Sequence, residues 1–129
     1  DRADYREKAA TILTSLQEDY PHLGIMAAGY ARAVGHLLLE PVQVVVVGNS
    51  MDPQLPEMRE VVWNCYLPNR ALLTIDPDRE QAKLARLGFA ASSSPRAFVC
   101  VGSRCLEPAN DSRELGSVLA KATVTTPSK

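Results

Sequence analysis

Two of the three cysteines in the sequence have a spacing that could support thiol chemistry. Cys100 and Cys105 flank Gly-Ser at 102–103, which has the composition of a two-residue turn between antiparallel strands. A turn of that length places the two cysteines opposite each other in a non-hydrogen-bonded pair, where side chains approach most closely. We therefore predict that both thiols face the same side of a hairpin and can form a disulfide, while Cys65 stays separate in a helix.

These cysteines allow three interpretations. They are inert thiols, as free cysteines commonly are, or Cys100 and Cys105 form a redox-sensitive pair, or they bind a metal. A zinc site needs about four ligands and only two cysteines converge here, so we predict no metal site. Disulfides seldom persist in the cytosol, so inert thiols are the favoured interpretation and the redox-sensitive pair is the alternative.

Polar residues follow the predicted strands at the edge where open α/β sheets bind ligands. Asn49, Ser50 and Asp52 come directly after an apolar strand, and Asp76 follows the next one. Neither Gly-x-Gly-x-x-Gly nor Gly-x-x-x-x-Gly-Lys occurs, so the sequence contains no phosphate-binding loop of these types. Asn49 and Asp76 are the candidate binding residues at the strand ends, but turn and capping roles are favoured for such residues.

An α/β arrangement built around one strand must position these residues. Residues 42–47 are almost entirely valine, which is typical of a strand covered on both faces. From Pro41 onward, the apolar runs, turns and helical spacings predict the element order β-α-β-α-β-β-α. We predict that strands 42–47 and 71–75 are parallel neighbours and that strand 96–101 is antiparallel to them. The alternative is a Rossmann-like three-layer α/β fold with an all-parallel sheet.

The first forty residues have a different pattern. Apolar residues recur every three or four positions over 4–19 and 22–39, which predicts two helices in an antiparallel hairpin. We therefore divide the chain into a helical hairpin at 1–40 and an α/β domain at 41–129. The sequence begins at Asp1, without methionine, within the first predicted helix, and we expect it to be part of a longer polypeptide.

Composition and charge argue against several classes of protein. The 129 residues are 22% charged, with a formal net charge of -1 and charges of both signs interspersed. No basic stripe indicates a nucleic-acid partner, and no apolar stretch approaches the roughly 20 residues of a membrane span. We expect a cytoplasmic protein with no cofactor and with neither a membrane nor a nucleic acid as partner.

The α/β part resembles the thioredoxin fold. A strand ending at Asp76, a short helix, Ser94-Pro95 directly before an apolar strand, a hairpin and a closing helix are similar to the second half of a thioredoxin. The resemblance implies a cis peptide bond before Pro95. Thioredoxins also carry Cys-x-x-Cys at the start of the helix after the first strand, but residues 49–57 contain no cysteine. The resemblance therefore implies this fold without the usual dithiol chemistry.

A second resemblance covers nearly the whole chain. Pro68 and Asn69 within Tyr-Leu-Pro-Asn-Arg, together with Cys100 and Cys105, are similar to the C-terminal region of a family that joins an N-terminal thioredoxin domain to a helical toroid. The family includes the spermatogenesis-associated thioredoxin-domain proteins, and its six-hairpin toroid is similar to that of sugar epimerases. The resemblance implies that residues 1–40 are the end of the toroid or a bridge from it.

Two classes of function follow from the family resemblance. The first is a non-catalytic accessory C-terminal domain that packs on the thioredoxin domain and toroid of a larger protein of undefined activity. The second is a redox-active part in which Cys100 and Cys105 exchange disulfides with that protein's dithiol. A contribution to a carbohydrate-active, epimerase-like enzyme is a further alternative. Pro95 joins Pro68 and Asn69 as a motif position, and the resemblance transfers no catalytic residue.

Overall fold

The computed structural model describes residues 3–67 and 69–124, and the chain divides into two units, Asp1–Glu40 and Pro41–Lys129. The first unit contains the helices α1 (Ala3–Ser15) and α2 (Ala27–Leu38), with 3-10 turns at Tyr20–His22 and Gly24–Met26. The second helix begins later than predicted because Gly24 has a φ of 53°, which an α-helix cannot accommodate.

Side-chain hydrogen bonds hold the two helices antiparallel. Arg6, near the start of α1, donates to the carbonyl of Leu37, near the end of α2, at 2.6 Å. The hydroxyl of Tyr30 in α2 donates to the carbonyl of Leu13 in α1 at 3.0 Å. The pair forms the hairpin that the sequence predicts. No side chain between residues 3 and 40 is buried, however, so this unit has no core of its own.

The second unit is a mixed sheet with helices on both faces. Its strands are β1 (Val42–Val47), β2 (Arg70–Ile75), β3 (Arg96–Val101) and β4 (Arg104–Cys105), in the spatial order β2-β1-β3-β4. Its helices are α3 (Gln54–Asn64), α4 (Gln81–Leu87) and α5 (Ser112–Val124). β1 and β2 are parallel, whereas β3 is antiparallel to both of its neighbours. The thioredoxin-like prediction is confirmed, and the all-parallel Rossmann-like alternative is wrong.

The valines of β1 alternate between two buried clusters, as a strand covered on both faces requires. The larger cluster lies between the sheet and helices α3 and α5, and it includes Val42, Val44, Val46, Met58, Val62, Val99, Leu115 and Leu119. The smaller cluster lies on the α4 side and comprises Val45, Val47, Ile75 and Leu84, with Leu73, Phe89 and Phe98 packed against it. The strand that the sequence places at the centre is therefore the centre of both cores.

Two details correct the sequence predictions. The Ser94-Pro95 peptide bond is trans, so the cis bond implied by the thioredoxin resemblance is wrong. A trans bond is the intrinsically favoured form before proline, by about 0.5–1 kcal/mol. Cys65 follows α3 instead of lying within it, because its backbone is already extended at φ -83° and ψ 129°. The chain here approaches a proline, before which helical backbone is disfavoured.

Candidate functional site

The hairpin of β3 and β4 is the first candidate site. The turn at 102–103 puts Cys100 in register with Cys105, their Cα atoms lie 3.9 Å apart, and their sulfurs form a disulfide. The N–H of Leu106 donates to the carbonyl of Val99 at 2.8 Å, which makes that pair the next hydrogen-bonded one. Cys100 and Cys105 are therefore the non-hydrogen-bonded pair between two hydrogen-bonded ones, and both side chains lie on one face of the hairpin.

The two cysteines of this disulfide have different surroundings. Cys100 is only 6% exposed, whereas Cys105 lies exposed on β4, which is the last strand on its side of the sheet. Cys100 is the register partner of Gln43. Gln43 lies between Val42 and Val44, whose side chains point into the larger cluster, so Gln43 and Cys100 face the other side of the sheet. The disulfide therefore lies on the α4 face of the sheet. It joins one exposed cysteine to one covered cysteine.

Cys65 lies on the opposite face of the sheet from the disulfide. It is partly buried directly after α3, and it packs against the larger cluster between the sheet and helices α3 and α5. The sheet thus separates its thiol from Cys100 and Cys105. Of the three cysteines, only the hairpin pair is brought together.

The polar residues at the ends of β1 and β2 form a hydrogen-bonded network. Asp76 accepts from the N–H of Ser50 at 3.2 Å and from the N–H of Asp78 at 3.0 Å. The side-chain N–H of Asn49 donates to the carboxylate of Asp78, and the side-chain oxygen of Asn49 accepts the N–H of Met51 at 2.9 Å. Asn49 and Asp76 therefore belong to one network at the strand ends. The bonds to the N–H groups of Met51 and Asp78 each fix a turn, whereas the bonds from Asn49 to Asp78 and from Ser50 to Asp76 join the two loops.

Sequence reasoning missed Asp78 as a member of this network. The signal was present, because Asp-Pro-Asp at 76–78 places two carboxylates on either side of a turn-forming proline. Asp52 has a related role: its carboxylate accepts the N–H of Gln54 at 2.9 Å, at the start of α3. The Asp52 carboxylate thus satisfies an N–H group at the first turn of α3.

Electrostatics at the strand ends favour the ionised carboxylates. Burial raises the pKa of Asp76, but the N–H bonds from Asp78 and Ser50 and the charge of Arg79 together lower it below its ordinary value of 3.8. The hydrogen bond from Lys83, at 2.7 Å, and the N–H of Asp76 lower the pKa of Glu80 below its ordinary value of 4.5. Both carboxylates are therefore charged at neutral pH, as capping acceptors should be.

Arg70 is the anchor of the segment between α3 and β2. Its guanidinium donates to the carbonyl of Val62 and, at 2.8 Å, to the carbonyl of Cys65. It also lies 4.9 Å from the ring centre of Trp63. The carbonyl of Asn69 accepts the N–H of Val42 at 2.9 Å, which continues the ladder between β1 and β2. The Asn-Arg part of the family motif thus fixes the end of α3 and the start of β2.

The other motif positions differ in what the structure describes. Pro68 lies outside the described residues. Pro95 is fully buried before β3, and a Cβ atom added at Gly48 would lie 3.1 Å from the Cβ of Pro95 and from Cδ1 of Leu55. Pro95 therefore packs against the bare backbone that follows β1. Packing against Gly48, between the end of β1 and the loop before β3, is therefore the role that the structure gives Pro95.

Within 3–67 and 69–124, no group of three or more histidine, cysteine, aspartate or glutamate side chains is arranged to hold a metal ion. Over the same ranges, no helix has the length and apolar character needed to cross a membrane.

Comparison with known proteins identifies one curated relative. The chain is 23% identical over 121 residues to human spermatogenesis-associated protein 20, which covers 90% of this chain. The matched chain spans only 15% of the length of that protein. No protein-family model matches the sequence. The relative confirms the predicted resemblance to the spermatogenesis-associated thioredoxin-domain proteins.

Solved thioredoxin structures are also similar to this chain. One is thioredoxin-2 of a malaria parasite, described as a component of its protein secretion machinery, with a TM-score of 0.49 and 18% identity over 64% of this chain and 84% of that one. Another is the germline-specific thioredoxin Deadhead of Drosophila melanogaster, also with a TM-score of 0.49 and 18% identity, over 66% of this chain and 82% of that one.

Proposed function

We propose that this chain is a non-catalytic accessory domain, C-terminal in a larger protein that contains a thioredoxin domain and a helical toroid. One observation carries the proposal. In the thioredoxin fold the reactive dithiol lies at the start of the helix after the first strand, and residues 49–57 contain no cysteine there. A helix N-terminus can lower the pKa of a thiol, but α3 presents none to ionise.

The same loop is occupied by structural hydrogen bonds. Asn49, Asp52 and Asp76 each accept a backbone N–H in a turn or at a helix start, and Asp78 accepts the side-chain amide of Asn49 from the other loop. A catalytic group needs a free lone pair or proton facing substrate, whereas each of these side chains accepts an N–H of the chain itself. The strand-end residues therefore support a role in stability rather than in catalysis.

The helical unit supports a role that depends on a larger protein. Its helices have 13 and 12 residues, lengths at which isolated helices are marginal in water. Ile12 is 60% exposed, Met26 68% and Ile25 92%. Apolar side chains so exposed on a unit without a core are typical of a surface that packs on another domain. We infer that the partner is the rest of the same larger polypeptide. A carbohydrate-active role for that polypeptide and a cytoplasmic location stay predictions.

An association experiment tests the accessory role. The chain is mixed with the separately expressed toroid and thioredoxin portion of the larger polypeptide, and complex formation is measured by light scattering after size exclusion. We expect a one-to-one complex that Ile12→Asp and Ile25→Asp weaken by at least about tenfold each, since a charge would be buried against an apolar surface. Leu84→Ala, which alters the other unit's core, serves as the control for general damage. Failure to associate would contradict the proposal.

A second candidate function is a reversible disulfide at Cys100 and Cys105, and the exposure of Cys105 favours it. A structural disulfide is protected from exchange when both cysteines are covered, but here one of the two cysteines is exposed. Mild reduction should add two hydrogen atoms per chain and mild reoxidation should remove them again, as measured by mass. Cys105→Ser should abolish the cycle and Cys65→Ser should preserve it. A disulfide that resists reduction in the folded chain would exclude this function.

A further inference from the structure

We propose that a protein dithiol reduces the Cys100–Cys105 disulfide by attacking Cys105, with the sulfur of Cys100 as the leaving group. The proposal rests on the second candidate function, and adds to it the order of the exchange and the chemical class of the partner. The chain would then be the substrate of a dithiol protein of thioredoxin type, and Cys105 would be the cysteine that the partner attacks.

Access to the two sulfurs is the first argument. Cys105 is exposed, whereas Cys100 is only 6% exposed. A protein thiolate is carried on a bulky surface, so it reaches an exposed sulfur far more readily than a covered one. Exposure alone therefore favours a mixed disulfide at Cys105.

The placement of the two strands is the second argument. A thiolate attacks a disulfide sulfur roughly in line with the bond that breaks, from the side opposite the leaving sulfur. The bond joins β3 to β4, and β4 is the outermost described strand on its side of the sheet. A nucleophile with Cys100 as leaving group can therefore approach from the open edge beside β4. On the other side of β3 lies β1, where Gln43 is the register partner of Cys100, so an approach to Cys100 from the side away from β4 meets the sheet.

The exchange balances as two successive steps. The first thiolate of the partner forms a bond to the Cys105 sulfur, the Cys100–Cys105 bond breaks, and Cys100 leaves as a thiolate that takes a proton from water. The second thiolate of the partner then attacks the partner's own sulfur in the mixed disulfide. Cys105 is released as a thiolate and is protonated. The partner's dithiol is oxidised by two electrons, and the disulfide of this chain is reduced by two.

The position of Cys65 favours a dithiol as the partner. Cys65 packs on the α3 and α5 face, across the sheet from the disulfide. No cysteine of the chain is therefore placed to displace the partner from Cys105, other than Cys100, whose attack only restores the starting disulfide. Net reduction requires a second thiol from the partner's side, and a thiol held close to the first, as in a Cys-x-x-Cys protein, supplies it fastest.

A trapping experiment tests the order of attack on the unaltered chain. The probe is a thioredoxin whose second active-site cysteine is replaced by serine, so the mixed disulfide cannot resolve on the partner's side. The reaction is stopped with acid after short times, because exchange requires a thiolate. Trypsin cuts after Arg96, Arg104 and Arg113, which separates Cys100 in peptide 97–104 from Cys105 in peptide 105–113. Cys65 lies in a third peptide, 60–70.

The peptide that carries the probe decides between the outcomes. We expect the adduct on peptide 105–113 in excess over peptide 97–104 by about tenfold or more, because access controls which sulfur is attacked. An equal or larger adduct on peptide 97–104 would overturn the proposed order while leaving the reversible disulfide intact as a function. An absence of adduct on both peptides, with the disulfide preserved under conditions where the probe reacts with a small disulfide, would overturn both. Intact thioredoxin should reduce the chain fully, whereas a monothiol at equal thiol concentration should do so more slowly.

Discussion

Cys100 and Cys105 share one disulfide, yet Cys100 is 6% exposed and Cys105 is exposed at the outer strand of the sheet. With the disulfide reduced, the two positions should tolerate a hydroxyl differently. Cys100→Ser buries a polar group and should lower the free energy of unfolding by about 1–3 kcal/mol. Cys105→Ser should change it by less than about 0.5 kcal/mol, as surface substitutions usually do. Urea denaturation in the presence of reductant measures both.

The control for this comparison is Ser103→Ala in the same turn, which changes an exposed residue without altering a thiol. Equal losses of stability in the two cysteine variants would contradict the assignment of one buried and one accessible sulfur. A large loss in the control would show instead that the turn itself is the sensitive feature.

The fold was predictable because its signals are local. A run of valines covered on both faces, prolines and aspartates at element ends, and a two-residue turn together fixed the strands at 42–47 and 96–101 and the register of Cys100 with Cys105. The strand-end network was predictable only in part. Asn49 and Asp76 follow from the rule on strand ends, but the bond from Asn49 to Asp78 joins positions 29 residues apart and depends on how two loops meet.

Backbone choices were the least predictable features. The trans bond before Pro95 and the break at Gly24 are decided by differences of about 1 kcal/mol that sequence pattern does not resolve. The role of Arg70 was missed for a different reason. Its target carbonyls, at Val62 and Cys65, become available only because α3 ends at Asn64, and the helix was expected to continue through Cys65.

The close packing of Gly48 against Pro95 predicts a steric cost for any side chain at that position. Gly48→Ala would place a Cβ atom 3.1 Å from both the Pro95 and Leu55 side chains. We expect a loss of about 1–3 kcal/mol in the free energy of unfolding, as for other overpacked sites. Gly116→Ala on α5 is the matched control, since its nearest atom is 3.9 Å away, and helix propensity should make it stabilising by up to about 1 kcal/mol. Similar effects of both substitutions would contradict the packing described here.

The hydrogen bonds to Asp76 predict a pH dependence with a definite sign. Because its pKa is below 3.8 in the folded chain, the group stabilises the fold above that pH, and the stabilisation is lost as pH falls through the folded pKa. Carbon-detected NMR titration of the Asp76 carboxyl measures the pKa directly. Asp76→Asn should flatten the acid side of the stability curve. A measured pKa at or above 3.8 would contradict the network.

The contacts of Arg70 predict that its shape matters as well as its charge. Arg70→Lys keeps the charge but loses the planar group that bonds two carbonyls and lies over Trp63, so we expect a loss of about 1–2 kcal/mol. The single tryptophan reports the unfolding by fluorescence. Arg113→Lys, an exposed position on α5, should be neutral. An Arg70→Lys variant as stable as the original chain would show that the positive charge, and not the planar guanidinium group, holds the end of α3.

The central claim is that this thioredoxin-like unit has no dithiol catalysis of its own. The most direct measurement is the rate at which dithiothreitol reduces insulin in the presence of the chain, with a thioredoxin as the positive control. No thiol lies at the start of α3, so we predict a rate equal to that of dithiothreitol alone, for the original chain and for Cys105→Ser alike. A multiple-turnover acceleration by the original chain that disappears in Cys105→Ser would contradict the account.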